Sequence, residues 1–278
     1  MPQSGPIQLF IPDASSPNWT VEPAIPPLLT GRRCPPEMVV VQGHFCFDRF
    51  EAALVDVAQE RRISPYYHPT RGQTRASYER WEQERFTMGS PEYQILPLPV
   101  PPRFQLSETF QVKAKVERGV VPNGYLNGLI AEQACLNADK RLCTEEEWEM
   151  ACRGETGQQF PYGSEYRAGE CNVHNGVHPA AVLHGHASLG HLDPRLNHFS
   201  HRGQPLLATT GSYAACASRW GDDAIYDMVG NLDEWVADED GVFRGGFYAR
   251  NTKAGCEARI SSHPRAYFDY SLGVRCCR

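Results

Sequence analysis

Long hydrophobic runs and clusters of basic residues are both missing from this sequence. No stretch approaches the roughly 20 consecutive apolar residues that a membrane-spanning helix needs. The formal charge is close to balanced, at −6, and the lysines and arginines do not gather into the basic patch that is typical of nucleic-acid binding. We therefore expect no membrane span and no nucleic-acid partner.

Two further signals are missing, and one residue type is abundant. No pair of cysteines has the CxxC spacing of a zinc knuckle. Residues 1–20 lack the basic start and apolar core of a secretory signal. The chain nevertheless has ten cysteines spread along its length, an even number that favours disulfide bonds over buried free thiols. We expect an extracytoplasmic protein (periplasmic, secreted or surface-attached) whose leader is not present in this chain.

Composition predicts three regions of different character. Residues 1–36 are rich in proline and serine and are interpreted as an extended N-terminal arm. Residues 37–278 form the folded domain. Within it, residues 64–104 mix prolines with aromatics and show no sustained period, so they are expected to form a long surface insertion.

The clearest regular structure is expected between residues 125 and 154. YLNGLIAEQACLNADK carries apolar residues at helical spacing. In the following RLCTEEEWEMACRG, Thr144 and Glu147 have the spacing of a capping box. Two short strands are expected earlier, at Val39–Val41 and Phe45–Phe47, with a helix from Glu51 onward. Beyond residue 155 the frequent glycines and prolines predict short strands and long loops, which makes the fold class α+β.

Four stretches, taken in order, carry a resemblance to a known family. They are KRLCTEEEWEMACRG, FPYG, YDMVGNLDEWVAD with FRGGFY, and SLGVRCC. Together they resemble the formylglycine-generating enzymes, also called sulfatase-modifying factors, over residues 37–278. The resemblance implies one compact, disulfide-stapled domain related to the C-type lectin fold, with little regular secondary structure.

The resemblance also implies cross-links. By similarity, Cys135 should pair with Cys276, and Cys152 with Cys256. Six cysteines remain, and near-neighbour pairing suggests the bonds Cys34–Cys46, Cys171–Cys216 and Cys143–Cys277. Each closed loop could add about 2–4 kcal/mol to the free energy of unfolding, mainly by restricting the unfolded chain.

Calcium is the cofactor that the resemblance implies. The positions of YDMVGNLDEW that match the family's ligands are Asp227, Gly230, Leu232 and Glu234, with Asp227 in place of the usual Asn. Carboxylate and backbone carbonyl oxygens suit this hard cation. A second calcium site would begin at Asn172 and Val173. The alternative is a carbonyl-rich turn in which Glu234 accepts bonds from backbone N–H groups.

The family's oxidative chemistry should be absent. In the active family a Gly-Gly-Ser-aromatic turn leads to two cysteines that bind copper(I), a soft ion that prefers thiolates. Here the turn reads RGGFY. Phe247 stands at the serine position and Arg250 at the first copper position. The second copper cysteine has no counterpart, and Cys256 matches a structural cysteine.

A different metal site could exist among the histidines, seven of which lie between residues 174 and 201. His184 and His186 of the HGH motif, completed by His191 or His198, could bind zinc, copper or iron. The alternative is an exposed loop that tolerates histidine.

A ligand groove is the third candidate, beside the RGGFY turn. The resemblance brings six polar or aromatic residues around the former copper pocket: Tyr248, Arg250, Arg259, His263, Tyr267 and Asp269. Such a groove could hold an anionic or peptide ligand. Alternatively, Arg250 and Arg259 form structural ion pairs with Asp269 and Glu257.

Two functions follow from these sites. The first is a calcium-stabilised binding or assembly module for a protein, peptide or small-molecule ligand, without formylglycine chemistry. The second is a repurposed oxidoreductase that uses a histidine-bound metal. The first predicts a groove closed by salt bridges, whereas the second predicts histidines that converge beside Arg250 or Asp269.

Overall fold

The strands are short, as the frequent glycines and prolines predict. The computed structural model describes residues 34–174 and 176–278, so most of the expected N-terminal arm lies outside the described residues. The strands are β1 Met38–Val41, β2 Phe45–Asp48, β3 Ala52–Asp56, β4 Val112–Val116, β5 Arg141–Leu142, β6 Ser200–His201, β7 Gln204–Pro205, β8 Ala217–Trp220, β9 Asp223–Tyr226, β10 Asp233–Trp235, β11 Phe243–Arg244, β12 Arg259–Ile260, β13 Leu272–Val274 and β14 Cys276–Cys277. The α-helices are α1 Arg71–Glu84, α2 Pro91–Gln94, α3 Arg103–Ser107, α4 Gly128–Leu136, α5 Glu145–Arg153, α6 Pro179–His184 and α7 Arg195–His198.

The strands form two four-stranded sheets and three two-stranded sheets. One sheet has the order β1-β2-β14-β5, and the other has the order β12-β11-β10-β13. In the second sheet β10 runs parallel to β13 and antiparallel to β11. This pairing places the YDMVGNLDEW motif next to both the RGGFY turn and the C-terminal segment.

The prediction of a helix from Glu51 onward is wrong. Ala52–Asp56 is instead a strand that pairs antiparallel with Val112–Val116. All five of its residues are buried. Because both faces of the strand are covered, its sequence shows no alternation, and a short apolar run without alternation does not distinguish strand from helix.

The helix expected after Thr144 is confirmed. The Thr144 side chain accepts a bond from the Glu147 backbone N–H, and the Glu147 carboxylate accepts one from the Thr144 N–H. This capping box satisfies two donors that the helix itself cannot pair. Trp148 and Cys152 then face the core on the buried side of α5.

The 64–104 insertion contains a helix that its sequence pattern does not predict. The 14-residue helix α1 buries only Thr74 and Trp81, so it carries no apolar stripe from which its period could be read. Its exposed face has the i,i+4 ion pair Arg80–Glu84, with Nε and Oε2 at 2.7 Å. Trp81 and Tyr67, which are 2% and 1% exposed, attach the insertion to the core.

Five disulfide bonds staple these elements together. The structure contains the pairs that were expected, Cys34–Cys46, Cys135–Cys276, Cys143–Cys277, Cys152–Cys256 and Cys171–Cys216. All ten cysteines lie among the described residues and none of them is free. Such complete pairing indicates folding in an oxidising compartment. In the described part of the chain, no helix is long and apolar enough to cross a membrane.

Candidate functional site

The turn after β11 places two aromatic rings inside the protein and one arginine at its surface. A Cβ added at Gly246 would lie 2.1 Å from Thr252 Oγ1, and φ at this position is +76°, so the turn requires glycine. Phe247 and Tyr248 are 6% and 0% exposed. Arg250 follows with a side chain that is 36% exposed. Its guanidinium carbon lies 5.1 Å from the Phe247 ring centroid.

Arg250 is held by a buried carboxylate, Asp233 of β10. Its NH1 lies 3.0 Å from Asp233 Oδ2 and donates to Oδ1 at 3.2 Å. The Gly246 N–H also donates to Oδ1, at 2.8 Å. Burial, reinforced by the nearby Asp269 carboxylate, raises the pKa of Asp233 to about 7 although Arg250 lowers it. The ion pair therefore joins a half-exposed cation to a buried acid that can hold a proton near neutral pH.

Asp233 is the site residue that sequence reasoning missed. It lies inside YDMVGNLDEW, next to Glu234, at a position that the calcium interpretation did not use. Because successive side chains of a strand point to opposite faces, the two acids diverge. Glu234 meets Arg275, whereas Asp233 meets Arg250. The sequence signal that could have identified Asp233 is the second acid of the motif, directly before Glu234. In the structure all three residues of this strand are buried.

Three of the predicted groove residues form a polar edge beside this pair. The Tyr267 hydroxyl donates to Asp269 Oδ2 at 2.6 Å. The Ser271 N–H and hydroxyl donate to Asp269 Oδ1 at 2.8 and 2.7 Å. The His263 ring stacks on Tyr267 with centroids 4.0 Å apart. Burial raises the pKa of Tyr267, and the Asp269 charge adds to this effect, so the tyrosine remains a hydrogen-bond donor to that carboxylate.

Two other predicted groove residues lie elsewhere. Tyr248 has no exposed surface, and its hydroxyl donates to Asn197 Oδ1 at 2.9 Å. It therefore supports the turn from inside and cannot contact a ligand. Arg259 is exposed, and its Nε lies 2.6 Å from Glu145 Oε1 at the start of α5.

The alternative prediction, in which Arg250 and Arg259 pair with Asp269 and Glu257, is wrong. Arg250 pairs with Asp233 and not with Asp269, and Arg259 does not pair with Glu257. The expected partner Asp269 already accepts bonds from a tyrosine hydroxyl and from a backbone amide. The ion pair at this turn is Arg250–Asp233, and whether a ligand groove lies beside it stays a prediction.

The structure does not bring the three candidate metal-binding histidines together. His184 is buried, with Nε2 at 3.1 Å from Asp193 Oδ2. His186 is exposed and its Nδ1 lies 2.6 Å from Ser188 Oγ. The Nε2 of His191 lies 2.8 Å from a backbone carbonyl oxygen. Within residues 34–174 and 176–278, no three His, Cys, Asp or Glu side chains form a group that could hold a metal ion. The predicted three-histidine site is therefore not formed.

The turn that was matched to calcium is buried and acidic. Asp227 is 3% exposed and its Oδ2 accepts the Gly211 N–H at 2.6 Å. Glu234 does not accept the backbone donors of the alternative interpretation. Its Oε2 accepts the Trp148 Nε1–H at 2.7 Å, and its Oε1 lies 2.9 Å from the Arg275 NH2. Of the two acids Asp227 and Glu234, Glu234 is thus already paired with the Arg275 guanidinium.

A third acid, Glu51, completes this buried group. Its carboxylate accepts the Asn231 side-chain N–H at 2.6 Å and the Leu232 backbone N–H at 3.1 Å. Burial raises its pKa, and the charges of Asp227 and Glu234 raise it further. Three buried acids therefore interact with the guanidinium of Arg275, and burial raises the pKa of both Glu51 and Asp227.

The two expected calcium segments touch each other. A Cβ at Gly230 would lie 2.3 Å from the Asn172 carbonyl oxygen and 2.6 Å from Val173 Cγ1. The Asn231 N–H donates to the Asn172 carbonyl at 2.9 Å. Close backbone approach therefore requires glycine at residue 230.

Comparison with known families decides the identity of this scaffold. The family model described as "Sulfatase-modifying factor enzyme 1-like domain" matches residues 127–278, which is more than half of the chain. The chain belongs to this family.

Individual relatives of this sulfatase-modifying factor family member are distant. A Bos taurus protein named "Inactive C-alpha-formylglycine-generating enzyme 2" is 28% identical over 165 residues, covering 52% of this chain and 46% of that protein. The Mus musculus protein of the same name is 26% identical over 161 residues, covering 51% and 44%. The match thus spans about half the length of these relatives. Among solved structures, "Structure of PvdO from Pseudomonas aeruginosa" aligns with a TM-score of 0.39 and 15% identity over 85% of this chain and 81% of that one.

The copper pair of active sulfatase-modifying factors does not fit this chain. Every cysteine is part of a disulfide bond, so no thiolate is available. Arg250, which the resemblance matches to the first copper position, is a cation with five N–H donors and no lone pair to offer a metal. Phe247, matched to the serine position, carries no hydroxyl.

Proposed function

We propose that this sulfatase-modifying factor family member is a binding or assembly module that does not generate formylglycine. Its ligand, a protein, peptide or small molecule, contacts the surface around Arg250. The observation that carries this proposal is the Arg250–Asp233 ion pair in a chain with no free cysteine, at the turn where the resemblance expects the copper thiols.

Arg250 is built to contact a ligand. Both of its contacts to Asp233 use NH1. Among the described residues, its NH2 and Nε meet no acceptor, and the side chain is 36% exposed. An arginine can bind a planar anionic group through two parallel N–H donors. The ring of Phe247 below it and the Asp233 carboxylate behind it fix the direction in which those donors point.

The relatives support the loss of catalysis. Both matched mammalian proteins are named inactive formylglycine-generating enzymes. A family in which copper chemistry can be lost while the scaffold is kept is consistent with a binding role here. The second candidate, a histidine-metal oxidoreductase, has no comparable support, because His184, His186 and His191 have separate partners.

Calcium is proposed as the stabilising ion of this module. The residues that would hold it are the Asp227 carboxylate and the backbone carbonyls of Gly230 and Leu232, with Asn172 and Val173 beginning a second site. The proposal is supported by the acidic surroundings of Asp227, which interacts with the buried carboxyls of Glu51 and Glu234. The ion would supply positive charge to a buried acidic turn, whose other acid, Glu234, is shared with Arg275.

Two finer features of the scaffold belong to the same proposal. The small sheets, the two central helices and the five disulfide bonds support a C-type-lectin-like variant of the sulfatase-modifying factor fold. Complete cysteine pairing supports a secreted, periplasmic or surface-attached location over an internal one.

The binding role is tested by placing a photo-reactive amino acid at the exposed Asn251, beside Arg250, and irradiating the protein in its native extracellular or periplasmic fluid. We expect a discrete cross-linked product that disappears when Arg250→Gln is added to the same chain. The matched control is Arg62→Gln, which removes another arginine that pairs with an acid, Glu117, and should leave the product unchanged. Products that persist in the Arg250→Gln protein would refute the proposed surface.

The catalytic and metal alternatives are tested on the same preparation. A cysteine-containing sulfatase peptide, incubated with the protein, copper(I) and oxygen, should form no aldehyde by mass spectrometry. Metal analysis of protein purified without chelator should find calcium and no stoichiometric copper, iron or zinc. A transition metal that is lost on replacing His184 and His186 by Ala would overturn the binding proposal in favour of the oxidoreductase.

A further inference from the structure

A groove of about 470 Å³ forms where the start of the 64–104 insertion meets the segment 197–213. Aromatic, amide and hydroxyl side chains line it, among them Tyr66, Tyr213, His198, Gln204, Ser200 and Thr209. We call it the Tyr66–Tyr213 groove. Its volume lies within the range of about 300–1,000 Å³ that is usual for small-molecule sites. Arg250 is not one of its lining residues, so this surface is separate from the one proposed above.

The described residues that line the Tyr66–Tyr213 groove include no aspartate, glutamate, lysine or arginine. Another cavity of similar volume, about 500 Å³, is lined by Arg153, Arg167 and Arg219 together with glutamates. An ionic ligand in the Tyr66–Tyr213 groove would lose water without gaining a partner of opposite charge, which costs free energy. The groove therefore favours an uncharged ligand.

The polar side chains of the groove are not used by the fold. The hydroxyls of Tyr66, Tyr213, Ser200 and Thr209 and the amide of Gln204 form no hydrogen bond with another described residue. Hydroxyl and amide groups can both donate and accept hydrogen bonds. A ligand rich in hydroxyl groups, which also donate and accept, matches this set.

Two tyrosine rings give the groove apolar surfaces that are held in place. Tyr66 and Tyr213 are both half-buried. The Tyr66 ring meets the His198 ring edge-to-face, with centroids 5.0 Å apart. Tyr213 packs against the core, and its carbonyl accepts the N–H of Cys216 at 2.9 Å, a residue cross-linked to Cys171. The C–H face of a sugar ring can pack on aromatic rings of this kind.

The backbone that lines the groove is also held in place. The buried Asn231 accepts the Ala208 N–H on Oδ1 at 2.9 Å and donates from Nδ2 to the Ala208 carbonyl at 3.3 Å. The Ser212 hydroxyl donates to the Thr209 carbonyl at 2.6 Å. Because these bonds exist before a ligand arrives, little ordering of the lining is needed on binding.

We infer that the Tyr66–Tyr213 groove is a binding site for an uncharged saccharide. The sugar ring packs on the tyrosine rings, and its hydroxyls bond to Gln204, Ser200 and Thr209. This inference goes beyond the proposed function, because it adds a second site that does not depend on Arg250. An uncharged peptide is the competing ligand, but a proline-rich segment lacks backbone N–H donors and would leave the accepting side of these hydroxyls unused.

The test is a printed array that carries neutral glycans, sialylated and sulfated glycans, and uncharged peptides, incubated with the disulfide-intact protein. We expect binding to neutral glycans. Sulfation or sialylation of the same glycan should weaken binding, since the groove has no cation to pair with the added charge. The neutral glycan with the strongest signal is then titrated against the protein by calorimetry.

Variants locate the bound glycan. Tyr66→Ala removes a ring surface and should weaken binding roughly tenfold. Gln204→Ala should weaken it roughly fivefold by removing hydrogen bonds. Because the exposed Gln204 side chain has no bond within the described fold, this variant gives an answer even if Tyr66→Ala fails to fold. The matched control Tyr162→Ala, which removes a half-buried tyrosine of the arginine-lined cavity, should leave the affinity unchanged, as should Arg250→Gln.

Four results would overturn the inference: no signal from neutral glycans, a preference for sulfated or sialylated glycans, binding of uncharged peptides in place of glycans, or glycan affinity that neither Tyr66→Ala nor Gln204→Ala changes. Loss of the glycan signal in Arg250→Gln would place the sugar at the other surface and would also contradict this site. The cross-link from Asn251 reports on the Arg250 surface alone, so the two proposals fail or stand separately.

Discussion

Replacing Asp233 by Asn should make the protein's stability less sensitive to pH, and the structure gives the size and sign of the change. Burial moves the pKa of this carboxyl from its ordinary 3.8 to about 7. Because one pKa unit corresponds to about 1.4 kcal/mol, full ionisation of Asp233 costs the folded state about 4 kcal/mol. Asn keeps the Oδ1 acceptor for the Gly246 amide and removes the charge.

The sign follows from which state holds the proton. Above pH 4 the unfolded chain releases it, whereas the folded chain keeps it until about pH 7. The wild type therefore loses stability as pH rises through this window, and the loss is complete above it. Between pH 5 and pH 8 the free energy of unfolding should fall by between about 2 and 3 kcal/mol through this group alone.

The assay is urea denaturation of the disulfide-intact protein at pH 5, 6, 7 and 8, followed by circular dichroism. As the pH rises from 5 to 8, the unfolding free energy of Asp233→Asn should increase by between about 2 and 3 kcal/mol relative to that of the wild type. The control is Asp223→Asn, which removes a 55% exposed acid paired with Arg49 and should change the difference by less than about 1 kcal/mol. A difference that stays flat with pH, or shrinks, would refute the assignment of a buried, proton-holding acid.

Three further predictions concern the scaffold, each measured as a change in the free energy of unfolding at pH 7. Arg275→Met should cost about 3–5 kcal/mol, since it leaves buried acids without their cation. The control Arg153→Met removes partly exposed ion pairs and should cost under about 1 kcal/mol. Equal losses in the two variants would contradict the buried-pair argument. Thr144→Ala should cost about 1 kcal/mol by removing the helix cap, and an unchanged midpoint would show that the capping box contributes nothing. Replacing Cys135 and Cys276 together by Ala leaves the neighbouring bond Cys143–Cys277 in place, so it opens a ring of only about 11 residues and should cost about 3 kcal/mol on the chain-entropy relation; a loss below about 1 kcal/mol would indicate that the unfolded variant retains structure.

The features that could be read from the sequence are those encoded by near neighbours. The capping box needs only Thr144 and Glu147, three residues apart, so its spacing was sufficient. The strands around Gln42 and Gly43 were also visible, because a tight turn divides two apolar runs. Cysteine number predicted an oxidised protein, and the family resemblance supplied the pairing of Cys135 with Cys276.

The failures arise where tertiary packing replaces local pattern. Ala52–Asp56 is covered on both faces, so it lost the alternation that would have identified it as a strand. Helix α1 rests on Trp81 and Thr74 alone, so it has too narrow a buried face to show a helical period. The histidines of residues 184–191 looked like a metal site in sequence, yet the fold gives each a separate partner.

The sequence by itself determined that an arginine, Arg250, stands where the family resemblance expects a copper-binding cysteine, and an arginine offers no lone pair to a metal. Only the tertiary structure decided which residue pairs with Arg250. Asp233 is 17 residues away from Arg250 along the chain, and the partner depends on which face of β10 each acid occupies once that strand is paired with β11 and β13. Local spacing cannot encode that choice, since it is fixed by the packing of three distant segments around one buried carboxylate.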